Sequence, residues 1–224
     1  PFNYGWSGTR YNEAIRITTS NEELWRIYER MKSLDLLIFL GPPGSGKGTQ
    51  AQILTKKLNY IHISIGDLLR ENISNQTDLG KLASKYVSSG ELVPDDLIID
   101  LVNSSIVDLQ GKESSSKGVI LDGFPRTINQ AAALENKIKE LDVLIKSVVY
   151  LDISDEKILS RLLNRGRDDD EPELIKNRLD VYRNQTEPLL VFYDERKLLN
   201  SINGDQELDD VNNNIMNVLR AKVI

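Results

Sequence analysis

The chain has 224 residues, of which 40% are hydrophobic and 28% are charged. This length predicts one large domain with an appended segment, and the hydrophobic share is sufficient for a core, which excludes general disorder. The excess of 34 acidic over 28 basic residues argues against a nucleic-acid-binding module, although a local cluster of arginines could still bind a small anion. Cysteine is absent and His62 is the only histidine. Disulfides, thiolate zinc sites and multi-histidine metal sites are therefore excluded, and His62 is expected to be a packing or surface residue.

No stretch of the sequence approaches the roughly 18 apolar residues that cross a bilayer. The longest apolar run, residues 34–40, is interrupted by Asp35. We therefore expect no transmembrane segment, and the lack of cysteine favours a reducing compartment such as the cytoplasm. Mitochondrial targeting and a lipid anchor upstream of Pro1 are the alternatives, since the sequence does not begin with Met.

Residues 1–33 differ from the rest and predict an extended arm followed by one helix. The arm is rich in Gly, Asn and Tyr and has no hydrophobic period. Residues 20–23, Ser-Asn-Glu-Glu, form a capping box, and apolar residues follow at helical spacing. We expect this helix to pack on the main domain by its apolar stripe rather than to bind a partner.

From Leu34 onward, short apolar runs alternate with helical patterns. Strands are predicted at residues 36–40, 61–65, 118–121, 147–151 and 198–202. Helices are predicted at residues 47–57, 66–73, 78–88, 95–107, 127–138, 155–164, 172–182 and 209–219. Strands that are separated by helices indicate crossover connections and a parallel sheet covered on both faces.

The first predicted strand runs directly into Gly-Pro-Pro-Gly-Ser-Gly-Lys-Gly-Thr, residues 41–49. Glycines let backbone N–H groups turn inward and cradle phosphate at a helix N-terminus, and Lys47 adds a positive charge for the β- and γ-phosphates. A buried strand followed by this loop is a specific signal, so we predict nucleotide binding. The general motif has Ser or Thr where this chain has Gly48, and Thr49 follows it.

This loop resembles that of adenylate kinases and related nucleoside monophosphate kinases, and other segments match the family in the same order. Residues 64–70, Ser-Ile-Gly-Asp-Leu-Leu-Arg, resemble the segment that binds the acceptor phosphate. Residues 90–95, Gly-Glu-Leu-Val-Pro-Asp, resemble the segment that holds the acceptor nucleoside. Residues 122–130 match the signature Asp-Gly-Phe-Pro-Arg-Thr-x-x-Gln, and residues 161–178 carry arginines at four positions that match the donor side and the lid.

The resemblance implies an α/β fold, a three-layer α/β/α sandwich of the P-loop NTP hydrolase type with a five-stranded parallel sheet. Residues 1–33 would be the N-terminal arm and helix, and residues 34–224 the nucleoside monophosphate kinase domain. Within that domain, residues 64–94 would form a helical NMP-binding insertion, and residues 165–170 a lid remnant.

The reaction implied by the resemblance is reversible transfer of the terminal phosphoryl group of Mg·ATP to AMP, giving two ADP without a covalent intermediate. ATP and AMP would be the substrates and Mg²⁺ the cofactor, and we expect a monomer. UMP/CMP kinase and GTP:AMP phosphotransferase are alternatives within the family. A non-catalytic nucleotide-binding protein is the alternative if the lid is truly absent.

The resemblance also implies a role for each matching residue. Residues expected to neutralise charge on the transferring group are Lys47, Arg126, Arg165, Arg167 and Arg178. Residues expected to bind ATP are Gly44, Ser45, Gly46, Lys47, Gly48, Thr49, Arg161, Arg165 and Gln206. Residues expected to bind AMP are Ile65, Arg70, Glu91, Leu92, Val93, Gly123, Phe124, Pro125, Arg126, Gln130, Arg167 and Arg178. Asp67 and Asp122 would hold Mg²⁺ through water.

One position complicates the choice of acceptor base. Ile65 replaces the Thr that contacts adenine in adenylate kinases. Against this, Gln130 has donors and an acceptor that could pair with the edge of adenine. Thr127 stands where pyrimidine-specific relatives typically have Asn. AMP is therefore the expected acceptor.

The segment that resembles the lid is unusually short. Only Gly166 separates Arg165 from Arg167, whereas even the short-lid relatives insert several residues there. One explanation is a truncated lid, and the other is that lid residues are missing from this sequence at Gly166. We expect the second, because joining two phosphate-binding segments through one glycine should strain their geometry.

Overall fold

The computed structural model describes residues 34–111, 116–141, 143–167 and 170–223. The arm and helix predicted within residues 1–33 lie outside these ranges. A five-stranded parallel sheet runs through the centre of the described chain. Its strands in chain order are β1 (Leu34–Leu40), β2 (Tyr60–Ser64), β3 (Gly118–Asp122), β4 (Val143–Asp152) and β5 (Leu199–Asn203). Their order across the sheet is β2-β3-β1-β4-β5, which confirms the predicted sheet.

Helices fill the connections between the strands. They are α1 (Lys47–Leu58), α2 (Ile65–Ser74), α3 (Asp78–Ser89), α4 (Asp95–Gly111), α5 (Ile128–Glu140), α6 (Asp155–Arg165), α7 (Pro172–Val181), α8 (Pro188–Asp194) and α9 (Leu208–Val223). A π-helical turn, Tyr182–Thr186, joins α7 to α8. The sequence pattern did not predict α8, because seven residues are too few to establish a helical period.

Strand β4 begins four residues before its predicted start. Its pairing with β1 shifts register, so that Leu36 lies opposite Ile145 and Leu37 opposite Ser147. Lys146 is the extra residue at this bulge, and its Nζ lies 3.3 Å from Asp35 Oδ1. The charged residue interrupts the apolar run in the sequence, which is why the prediction started the strand too late.

The central strand β1 is buried on both faces, and its side chains alternate between two cores. Leu36, Ile38 and Leu40 pack with residues of α2 to α5 and of α8. Leu37 and Phe39 point to the other face, where α1 and α9 cover the sheet. Burying each such side chain contributes roughly 1.5–3 kcal/mol, so this double coverage holds β1 firmly in place.

This architecture determines where ligand-binding loops can lie. Because all five strands are parallel, the loops that follow them meet at one edge of the sheet. The phosphate loop follows β1, α2 begins directly after β2, and residues 123–126 follow β3. In the part of the chain that the structure describes, no helix is long and apolar enough to cross a membrane.

The backbone at Gly166, directly after α6, is not strained. Gly166 ends the helix with φ of 67°, the left-handed conformation that glycine adopts freely. A Cβ at this position would meet nothing within 4 Å, and the backbone N–H of Arg167 donates to Asp170 Oδ2 at 3.0 Å. At Gly166 itself the expected strain is therefore not seen, and the expectation that lid residues are missing from this sequence stays a prediction.

Candidate functional site

The phosphate loop makes a tight turn between β1 and α1. The N–H of Ser45 donates to the carbonyl of Pro42 at 3.1 Å, and both Gly44 and Gly46 have positive φ, 82° and 96°. A Cβ on Gly44 would lie 2.9 Å from Leu162 Cγ. Glycine is needed here both for the backbone conformation and for the close approach of α6.

Lys47 occupies the inside of this turn. Its Nζ donates to the carbonyls of Gly41 at 2.7 Å and Pro42 at 2.9 Å, and to Ser45 Oγ at 3.2 Å. Burial lowers the pKa of Lys47 to about 8; Asp122 opposes this shift, and nearby arginines, Arg126 first among them, add to it. Neighbouring negative charge therefore does not fully neutralise the ammonium group, as expected for a group that binds an anion.

Asp122 ends β3 and faces both Lys47 and His62. Burial raises the pKa of this carboxyl, but the contact with His62 and the charge of Lys47 outweigh burial, so the pKa lies below its ordinary value. The distance from His62 Nε2 to Asp122 Oδ2 is 3.5 Å, at the outer limit of a hydrogen bond. His62 is thus largely buried beside a predicted metal-binding carboxylate, an arrangement that its place in the sequence did not indicate.

The acceptor segment begins at the end of β2. Ser64 caps α2 by accepting the N–H of Asp67 at 3.3 Å, and the Asp67 carboxylate forms an ion pair with Arg70. Burial raises the pKa of Asp67, whereas the hydrogen bonds from Arg70 and Ser64 lower it more. The two carboxylates predicted to hold Mg²⁺ thus have different partners: Asp67 pairs with Arg70, and Asp122 faces Lys47.

Gln130 is buried, and its amide already has two partners. Its Oε1 accepts the N–H of Arg126 at 2.7 Å, and its Nε2 donates to Asp95 Oδ1 at 2.7 Å. Thr127 Oγ1 donates to the other oxygen of Asp95 at 2.9 Å. The amide therefore joins the loop after β3 to α4, and its remaining hydrogen-bonding capacity is one N–H and one lone pair.

Arg161 bridges two loops on the donor side. Its guanidinium donates to the carbonyl of Ser45 in the phosphate loop at 3.2 Å and to that of Gly204 at 3.0 Å. Asp205 Oδ1 accepts from the N–H and from Oγ of Ser154, both at 3.1 Å. The loop after β5 is thus fastened to the start of α6 and, through Arg161, to the phosphate loop.

Asp170 organises the arginines of the short lid segment. It accepts two bonds from Arg165, at 2.9 and 2.6 Å, and the backbone N–H of Arg167 at 3.0 Å. Arg178 Nη1 lies 3.4 Å away. Burial raises the pKa of Asp170, but its hydrogen bonds, from Arg165 first, lower it more. Asp170 was not among the predicted site residues, although the acidic run that follows Arg167 in the family match was a signal for it.

The predicted residues come together around one cavity of about 750 Å³. Every predicted site residue lines it except Phe124, whose side chain is 1% exposed and packs in the core. Phe124 stays a predicted AMP-binding residue, and with its side chain in the core it would face the nucleotide through its backbone. Phe124 packs inward, whereas its neighbours Gly123 and Pro125 line the cavity.

Several residues that line the cavity were missed by sequence reasoning. They are Gln50, Gln52, Lys157, Tyr182, Thr186, Glu207, Leu208 and Val211, among others. Thr186 donates to the carbonyl of Arg126 at 2.9 Å, although 60 residues separate them in the chain. The sequence contains no local signal for such long-range contacts.

The chain is similar to proteins that are already described. Residues 39–198 match the family model described as Adenylate kinase. The chain is 50% identical over 175 residues to "Adenylate kinase 1" of Nostoc sp., covering 78% of this chain and 93% of that protein. It is 44% identical over 183 residues to "Adenylate kinase" of Prochlorococcus marinus, covering 82% and 97%. It is 46% identical over 184 residues to "Adenylate kinase" of Leptospira biflexa serovar Patoc, covering 80% and 97%.

Proposed function

The chain belongs to the adenylate kinase family, and from that premise we propose that it transfers the terminal phosphoryl group of Mg·ATP reversibly to AMP, giving two ADP. The observation that carries the proposal is one cavity in which a phosphate loop and an acceptor segment face the same set of cations. These cations are Lys47, Arg70, Arg126, Arg161, Arg165, Arg167 and Arg178. Two phosphate groups that repel each other need such a set in order to approach.

On the donor side, we assign the triphosphate to residues 41–49. The backbone N–H groups of the loop would bind its oxygens, and Lys47 would turn from the carbonyls of Gly41 and Pro42 toward the β- and γ-phosphates. A bound anion favours the charged form of Lys47, so phosphate binding would reverse the fall in its pKa that burial causes.

On the acceptor side, we assign the phosphate of AMP to Arg70 and Arg126. Arg70 pairs with Asp67, but both side chains are substantially exposed, 39% and 58%. An exposed pair contributes only about 0–1 kcal/mol, so a phosphate dianion can compete with Asp67 for Arg70. The guanidinium of Arg126 donates to the carbonyl of Gly123 at 2.9 Å, which orients it at the end of β3.

Arg165, Arg167 and Arg178 would neutralise charge on the phosphoryl group as it moves. Asp170 contacts the guanidinium groups of Arg165 and Arg178 and accepts the backbone N–H of Arg167. Side chains that are positioned before the substrate arrives cost less to organise during the reaction, so Asp170 would contribute to rate without touching substrate.

The donor set at this edge of the sheet fits Mg²⁺ bound together with ATP. The described residues contain no cluster of three acidic or histidine side chains that could hold a metal ion by themselves. Asp122 stays ionised, and Gly48 brings the start of α1 so close that a Cβ there would lie 3.3 Å from Asp122 Oδ2. One carboxylate, with water and phosphate oxygens completing the shell, is the kind of site that Mg²⁺ prefers. When bound, the ion supplies positive charge to the β- and γ-phosphates; Asp122, with Asp67 as the second predicted carboxylate, would hold it through water.

We propose AMP as the acceptor and a monomer as the working unit. Ile65 is 2% exposed, belongs to the core on the α2–α5 face of the sheet and also lines the cavity, so it would pack against a base without a hydrogen bond. The edge of the base would then form its hydrogen bonds with the remaining N–H and lone pair of Gln130. All the cations assigned above come from one chain, so no second copy is needed. The cytoplasmic location stays a prediction.

The experiment is phosphoryl transfer from Mg·ATP to AMP, UMP, CMP and GMP in parallel, with products separated by chromatography. We expect ADP from AMP far in excess of the other products, and a loss of about a hundredfold or more in the Lys47→Met variant. A preference for UMP or CMP would overturn the acceptor, and no transfer to any of the four would overturn the function.

A further inference from the structure

The segment between β5 and α9, residues 203–208, is held at several points. We call it the donor-base segment, because Gln206 is a predicted ATP-binding residue and Gly204, Gln206 and Leu208 line the same cavity as the phosphate loop. Asp205 and Gly204 accept bonds from α6 and from the residue before it, as described above. Lys157 Nζ donates to the carbonyl of Asp205 at 2.8 Å. These contacts fasten the middle of the segment, and a different set fastens its end.

The end of the donor-base segment is fixed by Gln50, a buried residue of α1. Its Nε2 donates to the carbonyl of Leu208 at 3.0 Å, and its Oε1 accepts from Asn212 Nδ2 at 3.0 Å. Leu208 and Asn212 are one turn apart in α9, so the Gln50 amide spans the first turn of that helix. Gln50 and Asn212 are 2% and 1% exposed. A buried pair of amides of this kind keeps a defined geometry, because a buried donor or acceptor that loses its hydrogen bond destabilises the fold.

The orientation of both amides is fixed from both ends of the chain of bonds, because the carbonyl of Leu208 can only accept and the ammonium group of Lys57 can only donate. Lys57 Nζ has only hydrogens to offer, and it donates to Asn212 Oδ1. The other end of the Asn212 amide, Nδ2, must therefore face Gln50 Oε1. That in turn leaves Gln50 Nε2 for the carbonyl of Leu208. The chain of bonds runs in a single direction from Lys57 to the donor-base segment.

Gln50 lies on the same first turn of α1 as Lys47. The turn that carries the lysine of the phosphate loop therefore also holds the start of α9, and the cavity is lined by both Gln50 and Leu208. This connection is a second link between the phosphate loop and the donor-base segment, beside the one that Arg161 makes through the carbonyls of Ser45 and Gly204.

We propose that Gln50 and Asn212 are positioning residues for the donor nucleotide: they hold the donor-base segment at a fixed distance from the phosphate loop. The inference rests on the proposed function only in taking ATP as the donor. It requires no contact between Asn212 and substrate. A ligand that has a triphosphate and a base uses the connection, whereas a triphosphate alone does not.

The test uses Asn212→Asp in the full chain. This change is nearly isosteric, but a carboxylate cannot donate to Gln50 Oε1. The Gln50 amide then lies between two acceptors, the new carboxylate and the carbonyl of Leu208, and loses one of its two hydrogen bonds whichever way it turns. The matched control is Asn213→Asp, which makes the same change of charge at the adjacent, exposed position. Calorimetry measures the Kd of Mg·ATP and of Mg·tripolyphosphate, and initial rates give the KM for AMP.

We expect Asn212→Asp to raise the Kd of Mg·ATP about fivefold, the equivalent of one hydrogen bond of about 1 kcal/mol. The Kd of tripolyphosphate and the KM for AMP should stay at the values of the control. Equal weakening of ATP and tripolyphosphate, or no change in either, would overturn the proposal. Wild-type transfer from ATP to AMP is measured first: its absence would overturn the proposed function, while a selective loss of ATP binding in the variant would still support the positioning role.

A second variant covers the case in which Asn212→Asp does not fold. Asn212→Leu is close in size to the original side chain and adds no charge, but it removes the group that donates to Gln50 Oε1. The same selective rise in the Kd of Mg·ATP supports the proposal. Identical affinities for ATP in Asn212→Leu and wild type would contradict it.

Discussion

Lys47 and Asp170 are two charged groups whose behaviour follows from their burial. Lys47 gives its N–H groups to backbone carbonyls, and those neutral acceptors compensate only part of the cost of burying an ammonium ion. Asp170 is also buried, but it has arginines as partners and keeps its charge. The lysine is therefore the group whose protonation changes near neutral pH.

Binding of Mg·ATP should weaken as pH rises past the pKa of Lys47. That pKa is about 8 in the folded chain, so raising the pH from 8 to 9 should raise the Kd of Mg·ATP by about fivefold. Titration calorimetry across this range measures the change, and Lys47→Met should bind weakly with no such rise. A Kd that does not change up to pH 9 would contradict the assignment.

The same lowered pKa has the opposite consequence for stability without ligand. The ordinary pKa of lysine is 10.5, and that of Lys47 is about 8. Between these two values the unfolded chain binds more protons than the folded chain at this position. The contribution of Lys47 to the free energy of unfolding therefore increases with pH across that window.

Replacing Asp170 by Asn should impair the reaction more than nucleotide binding. The variant keeps the shape of the side chain but removes the charge that holds Arg165 and Arg178, so we expect kcat to fall about tenfold or more with smaller changes in both KM values. Initial rates under saturating ATP and AMP measure it. Glu173→Gln, in the exposed first turn of α7, is the control; an equal effect of both variants would show that Asp170 has no special role.

Helices α2 and α3 show how local packing shapes the acceptor side. The N–H of Thr77 donates to the carbonyl of Asn72 at 3.1 Å, and Thr77 Oγ1 caps α3 by accepting the N–H of Gly80 at 3.0 Å. A Cβ on Gly80 would overlap the carbonyl oxygen of Asn72. The two helices can approach this closely only because residue 80 has no side chain.

Gly80→Ala should therefore destabilise the protein. In an open helix this change would stabilise by about 1 kcal/mol, but here the overlap involves backbone, and overpacking costs about 1–3 kcal/mol. We expect a fall in Tm of several degrees in thermal unfolding followed by circular dichroism. Ser88→Ala, at an exposed position of α3, should leave Tm within about one degree; a higher Tm in Gly80→Ala would contradict the packing argument.

The charge of the whole molecule and the charge of its cavity have opposite signs. The net formal charge is −6, whereas the cations that line the cavity outnumber its carboxylates. An anionic nucleotide is thus repelled by the surface at large and attracted by one opening. Fields of this kind act over about 10 Å at moderate salt and are screened by added ions.

The KM values for ATP and AMP should rise with salt. From about 20 to about 200 mM KCl we expect an increase of about threefold to tenfold in each, because screening weakens attraction into the cavity. Steady-state rates measure it, with sucrose at matched osmolality as the control for solvent effects. KM values that are independent of salt would show that the cavity binds nucleotides through neutral contacts.

The sequence by itself was enough for the strands, the phosphate loop and the family. Apolar runs and glycine spacing are local patterns that act on neighbouring residues, so they can be interpreted without knowing how the chain folds. The five-stranded parallel sheet and the adenylate kinase resemblance were both confirmed. The roles of individual site residues stay predictions, although all except Phe124 line one cavity.

Only the tertiary structure decided which partners the polar side chains have. Gln130 bonds to Asp95, and Gln50 bonds to Asn212, across 35 and 162 residues of chain. Such contacts depend on how separate helices pack, and no local pattern encodes them. The same holds for His62 beside Asp122. At Gly166 the sequence suggested strain, but the conformation that glycine alone adopts freely accommodates the turn, because its φ of 67° involves no clash with a side chain.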